Sequence, residues 1–207
     1  MLVKVCGMAD SRNMLQVAAL KPDMLGFVFY PASPRYAGYL PEKEVKTLDE
    51  DILRVAVFVN EEADKMEHTA CRYGISVLQL HGNETPDLCR EMRMRGFKVI
   101  KALGVETAGD FRMLPVYEKS CDWFLFDTKS KKYGGTGQKF SWSLLRAYRG
   151  ELPFLLSGGI GVEDVERIEE VKENEKFAGV DLNSRFEKVP GVKDTGLLIR
   201  FMEKLKH

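Results

Sequence analysis

The chain has 207 residues, of which 44% are hydrophobic and 30% are charged, with 31 basic and 31 acidic side chains. This composition is typical of a folded globular domain and excludes intrinsic disorder. The zero net charge and the lack of a basic run argue against nucleic-acid binding. No stretch has the length of a membrane span or the pattern of a signal peptide, so we expect no membrane partner.

Short apolar, β-branched runs alternate with longer amphipathic segments along the whole chain. The runs predict strands near residues 2–6, 24–30, 53–59, 77–81, 98–103, 123–127, 153–157 and 178–182. Helices are predicted near residues 10–20, 43–49, 62–73, 86–95, 142–148, 163–171 and 193–206. Strands that alternate with helices run parallel, and eight such units favour closure. We therefore predict an α/β fold, a (β/α)8 TIM barrel, made by one domain over residues 1–207.

Polar residues end several predicted strands, where such a barrel carries its active site. Cys6, His81 and Asp127 are among them. Side-chain alternation puts Lys4 on the same side of its strand as Cys6, so a buried Lys4 needs an anionic or hydrogen-bonded partner. Further candidates for the same interior polar layer are Lys101 and Asp181. The alternative is that some of these side chains face the helices.

Two segments, SGGI at 157–160 and DLNSRFE at 181–187, follow the last two predicted strands. Barrels of this type bind phosphate between these loops, where glycine N–H groups and a short helix N-terminus meet the anion. The candidate phosphate ligands are Gly158, Gly159, Asn183, Ser184 and Arg185. In isolation, SGGI is equally consistent with a tight turn.

Two further loops contribute candidates for substrate binding. Residues 130–140, SKKYGGTGQKF, lack the Walker spacing and are interpreted as a lid with Gly135 and Gly137 over the substrate, or alternatively as a flexible surface loop. In FYPASPRYAG, two prolines stiffen the loop that carries Arg35, and a fixed guanidinium suits a carboxylate. His81 either binds substrate, orients a neighbour or is a structural histidine.

The four cysteines, Cys6, Cys71, Cys89 and Cys121, are scattered without a CxxC pair. This pattern predicts reduced thiols in a cytoplasmic protein. The three histidines are too far apart for a zinc site, so we expect no metal. The sequence leaves a monomer or a homodimer open.

The segments VKVCG, GFVFYPASPRY, VAVFVN, VLQLHGNE, FLFDTKSKKYGGTGQKF, LLSGGI and GVDLNSRFE together resemble the phosphoribosylanthranilate isomerase family of tryptophan biosynthesis. They occur in that family's order over nearly the whole chain. The resemblance implies an Amadori rearrangement of a phosphorylated sugar without cofactor. It implies that Cys6 is the general base, Asp127 the general acid and Arg35 the ligand of the substrate's carboxylate.

These roles require opposite protonation states, because Asp127 must hold a proton that it donates while Cys6 must lose one. An unperturbed cysteine, with a pKa of about 8.5, is mostly thiol at neutral pH. We therefore expect the surroundings of Cys6 to favour the thiolate, with Lys4 as a source of positive potential.

Two alternatives remain at this point. One is an isomerase or epimerase for another sugar phosphate, including a dual-specificity barrel that also serves histidine biosynthesis. It leaves the combination of Cys6, Arg35 and Asp127 unexplained. The other is a phosphate-binding barrel without catalysis, which would need neither an acid nor a base. The fold alone does not separate these functions.

Overall fold

The computed structural model describes residues 1–128 and 141–205, and within them the predicted closed barrel is present. Its strands are β1 (Leu2–Cys6), β2 (Met24–Val28), β3 (Leu53–Phe58), β4 (Val77–Leu80), β5 (Lys98–Val105), β6 (Trp123–Thr128), β7 (Phe154–Leu156) and β8 (Phe177–Leu182). Each strand pairs in parallel with the next along the chain, and β1 closes the barrel by pairing with β8. The predicted fold class is therefore confirmed.

Helices and short 3-10 segments connect the strands. The α-helices are α1 (Ser11–Ala18), α2 (Glu42–Lys46), α3 (Ala63–Tyr73), α4 (Pro86–Met94), α5 (Val165–Val171) and α6 (Thr195–Lys204). The 3-10 helices span Ala108–Val116, Trp142–Ala147, Val162–Asp164 and Ser184–Phe186, and a hairpin joins β9 (Glu187–Val189) to β10 (Val192–Lys193). The described part of the chain holds no helix long and apolar enough to cross a membrane.

Local sequence sets where these helices begin and end. The Asp10 carboxylate accepts a hydrogen bond from the Asn13 N–H at 2.7 Å and so caps α1. Thr85 caps α4 in the same way, just before a proline whose missing N–H costs nothing at a helix start. Gly74 ends α3 in the left-handed conformation, with φ of 63°.

Three connections differ from the sequence prediction. The helix predicted at 142–148 is a 3-10 helix, Trp142–Ala147, rather than an α-helix. The crossover after β5 carries the unpredicted 3-10 helix Ala108–Val116, in which Pro115 cannot donate an α-helical hydrogen bond. The β9–β10 hairpin was also not predicted, because its strands are too short to show a two-residue period.

The core has two layers, because each strand buries side chains on both faces. One layer fills the barrel interior with Met24, Val55, Val77, Ile100, Ala102, Leu125 and Leu155. The other, larger layer lies between the strands and the helices. Cys6 belongs to a third small group above the interior layer, with Val28 and Val57. The barrel is thus filled below and open above, at the carboxyl ends of its strands.

Candidate active site

A cleft of about 730 Å³ opens at the carboxyl ends of the strands. The predicted site residues that line it are Cys6, Arg35, His81, Asp127, Gly158, Gly159, Asn183, Ser184 and Arg185. Gly135 and Gly137, the predicted lid residues, lie outside the described part of the chain. Residues from six different strands or following loops therefore meet in one place, although they are up to 179 positions apart in sequence.

Cys6 ends β1 with its thiol in the cleft, although only 3% of the residue is exposed. Below it, Lys4 Nζ lies 2.7 Å from Asp181 Oδ1 in a buried ion pair, so the predicted anionic partner of Lys4 is present. The Ser157 hydroxyl donates to Asp181 Oδ2 at 3.3 Å. Gly26 on β2 leaves space for the thiol, because a Cβ there would lie 2.6 Å from Cys6 Sγ.

Burial controls the protonation of Cys6. It raises the pKa of the thiol above its ordinary value, while the Lys4 ammonium pulls it down. Asp181 adds to the increase, and Lys193 opposes it. Lys4 therefore acts in the predicted direction but does not outweigh burial, so the net shift of the Cys6 pKa is opposite to the expected bias toward thiolate.

Asp127 lies near the end of β6 with both carboxylate oxygens engaged. Oδ1 accepts a hydrogen bond from the Thr128 N–H at 2.7 Å, and Oδ2 lies 3.5 Å from His81 Nε2. The Gln79 amide nitrogen is 2.9 Å from His81 Nδ1. His81 therefore lies between Gln79 and Asp127, in contact with both. Because His81 both lines the cleft and contacts a neighbouring carboxylate, its position is compatible with substrate binding and with orienting a neighbour.

The loop after β7 lines the cleft with two glycines. Gly158 and Gly159 both have positive φ, 92° and 67°. Glycine adopts such conformations without steric cost, and because it has no side chain an anion could approach the backbone N–H groups here closely. A Cβ at Gly158 would lie 2.5 Å from Thr128 Oγ1 and 3.0 Å from Asp127 Oδ1, so this loop packs directly on the end of β6.

The loop after β8 lines the same cleft. Ser184 opens the short 3-10 helix that was expected after β8. Arg185 Nη2 lies 2.7 Å from Glu163 Oε1, and the two side chains are 42% and 54% exposed. Such an exposed ion pair is weak, so Arg185 can still bind another anion. Asn183 instead turns its amide oxygen toward Lys193 Nζ, which donates to it at 2.7 Å.

Arg35 lies at a different part of the cleft rim. Its N–H is held by the Ser33 hydroxyl at 3.1 Å, in the loop stiffened by the two prolines. Its guanidinium donates from Nε and Nη2 to the Glu187 carboxylate, at 2.9 Å and 2.7 Å. Gly7, with φ of 82°, gives the arginine room, because a Cβ there would lie 2.7 Å from Arg35 Cδ.

Glu187 and Lys193 lie on the β9–β10 hairpin and were not among the predicted site residues. Lys193 Nζ donates to Glu187 Oε1 at 2.8 Å, and both side chains are at most 4% exposed. Burial alone would raise the pKa of Glu187, but hydrogen bonds from Arg35 and Lys193 lower it. The Pro-Gly dipeptide between these two residues marks a tight turn and was the available signal.

Lys101 does not belong to the interior layer, contrary to the sequence prediction. It lies on β5 between Ile100 and Ala102, which face the interior, so its own side chain faces the helices. There its Nζ pairs with Glu84 Oε2 at 2.7 Å. Of the two residues proposed to join Lys4, only Asp181 faces the barrel interior.

Comparison with known proteins gives one consistent result. The family described as N-(5′-phosphoribosyl)anthranilate (PRA) isomerase matches residues 3–204. A protein of that name from Parabacteroides distasonis is 44% identical over 209 residues, covering 100% of this chain and 94% of the relative.

Solved structures agree with the sequence relatives. Phosphoribosyl anthranilate isomerase from Thermotoga maritima superposes with a TM-score of 0.84 at 34% identity, covering 100% of this chain and 99% of that one. A phosphoribosyl anthranilate isomerase in complex with reduced 1-(o-carboxyphenylamino)-1-deoxyribulose 5-phosphate gives 0.81 at 32% identity, covering 100% and 98%. The chain belongs to the N-(5′-phosphoribosyl)anthranilate isomerase family.

Proposed function

We propose that the cleft catalyses the Amadori rearrangement of N-(5′-phosphoribosyl)anthranilate to 1-(2-carboxyphenylamino)-1-deoxyribulose 5-phosphate, in tryptophan biosynthesis. One observation carries the proposal. A buried thiol and a carboxylate line the same cleft, which also contains a Gly-Gly turn suited to a phosphate and a fixed arginine suited to a carboxylate. A phosphorylated sugar that bears a benzoate has one anion for each of these two binding sites.

Asp127 begins the reaction as general acid. It protonates the ribose ring oxygen as the C1–O bond breaks, and the nitrogen lone pair forms an iminium at C1. Asp127 must therefore enter the reaction protonated, and His81, whose Nε2 lies 3.5 Å from Asp127 Oδ2, helps to hold it in place. Thr128 and His81 fix both oxygens of the carboxylate, so it approaches the ring in one orientation.

Cys6 then acts as general base. The iminium makes the C2 proton acidic, and the thiolate removes it to give an enolamine, which tautomerises to the 2-ketone. Because burial keeps the resting thiol protonated, only a fraction is thiolate at neutral pH. That fraction is a stronger base for the same reason, and Lys4 and Lys193 stabilise its charge.

Binding is divided between the two anions of the substrate. The backbone of Gly158 and Gly159, together with Ser184 and Arg185, is proposed to hold the phosphate. Arg35 is proposed to hold the anthranilate carboxylate through the edge of its guanidinium that Glu187 leaves free. Gly135 and Gly137 are proposed to cover the substrate, and Asn183 supports the rim from below through Lys193.

Substitution of the acid and the base tests this mechanism. Cys6→Ala and Asp127→Asn should each lower kcat by about 10²- to 10⁴-fold while substrate binding persists, because a general acid or base contributes that much. The measurement is the fluorescence change as the anthranilate adduct is consumed. Cys71→Ala, at an exposed free thiol on α3, is the matched control and should leave turnover unchanged. Near-normal turnover in either site variant would contradict the assignment.

Location and assembly follow from other features. All four cysteines are free, which supports a reducing, cytoplasmic location. The assembly is either a monomer or a homodimer, and analytical ultracentrifugation distinguishes the two. No metal or cofactor enters the proposed reaction, and among residues 1–128 and 141–205 no group of side chains has the arrangement of a metal site.

A further inference from the structure

The β9–β10 hairpin places a buried charged cluster behind Arg35. The cluster consists of Arg35, Glu187, Lys193 and Asn183, linked by the hydrogen bonds described above. The side chains of Arg35 and Glu187 are 11% and 4% exposed, and that of Lys193 is fully buried. Buried charges are costly unless they are paired, so an arrangement of three in one place calls for a functional explanation.

The direction of the hydrogen bonds on Arg35 supplies that explanation. A guanidinium has a side-on edge, formed by Nε and one Nη, and an end-on edge, formed by both Nη atoms. Glu187 occupies the side-on edge, with Oε1 on Nε at 2.9 Å and Oε2 on Nη2 at 2.7 Å. The end-on edge remains for a second carboxylate, and Arg35 lines the cleft.

Glu187 itself is fixed from two further directions. The Gly191 N–H donates to Glu187 Oε1 at 3.0 Å, and Lys193 Nζ donates to the same oxygen. The backbone of Lys193 is in turn tied to α1, because its N–H donates to Asn13 Oδ1 at 2.7 Å and its carbonyl accepts from Asn13 Nδ2 at 2.9 Å. The plane of the arginine is therefore set by the hairpin and the first helix together.

The charges of the cluster also favour an anionic ligand. Glu187 alone would neutralise Arg35 and repel a second carboxylate. Lys193 restores one net positive charge to the group of three. A site that holds an arginine rigidly and keeps a net positive charge can bind a carboxylate without losing the orientation of its donor.

We propose that Glu187 is the positioning residue that makes this cleft selective for a substrate with an aromatic carboxylate. It holds the side-on edge of Arg35 so that the end-on edge receives the carboxylate, and Lys193 keeps the net charge positive. This inference rests on the proposed role of Arg35. It adds a residue that touches no reacting atom and acts through the arginine alone.

The test compares two substrates in Glu187→Gln. One is N-(5′-phosphoribosyl)anthranilate, and the other is the same sugar phosphate carrying aniline, which lacks the carboxylate. We expect KM for the first to increase roughly 10- to 100-fold, the range for a lost hydrogen bond between charged groups, with little change in kcat. KM for the aniline substrate should not change. A merely structural role would affect both substrates equally, and that result would overturn the inference.

Glu42→Gln is the matched control. Arg72 Nε donates to Glu42 Oε1 at 2.9 Å in a similar arginine–carboxylate pair, but between α2 and α3 on the protein surface. This variant should leave KM for both substrates unchanged. An increase in KM for the anthranilate substrate in Glu42→Gln would mean that the effect is not specific to the cleft.

Arg35 variants separate the failure of this inference from failure of the proposed function. Loss of carboxylate preference in Arg35→Ala but not in Glu187→Gln would refute only the role of Glu187. Unchanged preference in Arg35→Ala would refute the proposed role of the arginine. If Glu187→Gln does not fold, Arg35→Lys provides a second test. Lysine keeps the positive charge but lacks the side-on and end-on edges of the guanidinium, so this variant should lose the preference for the carboxylated substrate. Full preference in Arg35→Lys would contradict the inference.

Discussion

Two buried lysines of the barrel make nearly identical ion pairs and serve different parts of the molecule. Lys4 on β1 pairs with Asp181 at 2.7 Å, and Lys101 on β5 pairs with Glu84 at the same distance. Both lysine side chains are at most 1% exposed. The difference is the face of the strand. Lys4 points into the barrel beneath the cleft, and Lys101 points toward the helices.

The neighbours of each pair show what it does. Lys101 also donates to the carbonyls of Leu80 and Gly82, at 3.2 Å and 2.7 Å, and Glu84 accepts from the Asn60 N–H at 2.8 Å. This pair ties the loop after β4 to its neighbours. The Lys4 pair instead adjoins Cys6, whose pKa it influences. The same chemistry therefore stabilises a loop on one face and adjusts a reactive group on the other.

Replacing each lysine by methionine should separate stability from catalysis. Lys4→Met and Lys101→Met each leave a buried carboxylate without its partner, so each should lower the free energy of unfolding by about 3–5 kcal/mol. Only Lys4→Met should also lower kcat of the folded enzyme. Urea unfolding and the fluorescence assay, done on the same preparations, measure the two quantities.

Double variants are the control for this prediction. Lys101→Met with Glu84→Gln, and Lys4→Met with Asp181→Asn, remove both charges and should recover up to about 3 kcal/mol of the loss. The first should have normal turnover, and the second should remain impaired. Equal turnover in the two double variants would show that the Lys4 pair is structural only.

The two lysines also show where sequence reasoning stops. Strands of a parallel barrel are apolar on both faces, so the pattern around β5 does not reveal which face is inside. Because Cys6 shares its side of β1 with Lys4, the interior position of Lys4 was predicted correctly. On β5 no candidate site residue indicated which face Lys101 occupies. The number and order of the strands were predictable because the apolar runs of the barrel are well separated by amphipathic segments and turns.

The candidate site was predictable to the extent that its residues follow strands. Cys6 and Asp127 end apolar runs, and Gly158 belongs to a Gly-Gly turn directly after one. Glu187 lies in a short hairpin, and it meets Arg35 across 152 positions of the chain. A hydrogen bond between such distant residues leaves no periodic signal in either segment, so only the folded structure reveals it.

Two glycines allow a smaller test of the same comparison. A Cβ on Gly82 would meet Asn60 Oδ1 and lie 2.7 Å from Glu84 Oε1, and one on Gly26 would press on Cys6 Sγ. Gly82→Ala should therefore lower the free energy of unfolding by about 1–2 kcal/mol with kcat preserved. Gly26→Ala should lower kcat, because the thiol must move. Thermal unfolding and steady-state kinetics check both, and a normal kcat in Gly26→Ala would count against Cys6 as the base.

The smallest expected effect is a change in pH dependence. Because burial raises the pKa of Cys6, kcat/KM should still be rising at pH values above about 8.5, the ordinary pKa of a thiol. Removing the Lys4 ammonium disfavours the thiolate and leaves the Asp181 charge unopposed, and both changes raise the pKa further. The midpoint of the rise should therefore move to higher pH in Lys4→Met.

Lys101→Met is the matched control for the pH profile, because its ammonium lies on the opposite face of the barrel wall from the cleft. Its midpoint should equal that of the unmodified protein. The measurement is kcat/KM between neutral and alkaline pH at constant ionic strength. A shift of the midpoint to lower pH in Lys4→Met would contradict the role of Lys4. An equal shift in both variants would trace the effect to a general loss of stability, because only one of the two lysines adjoins the thiol.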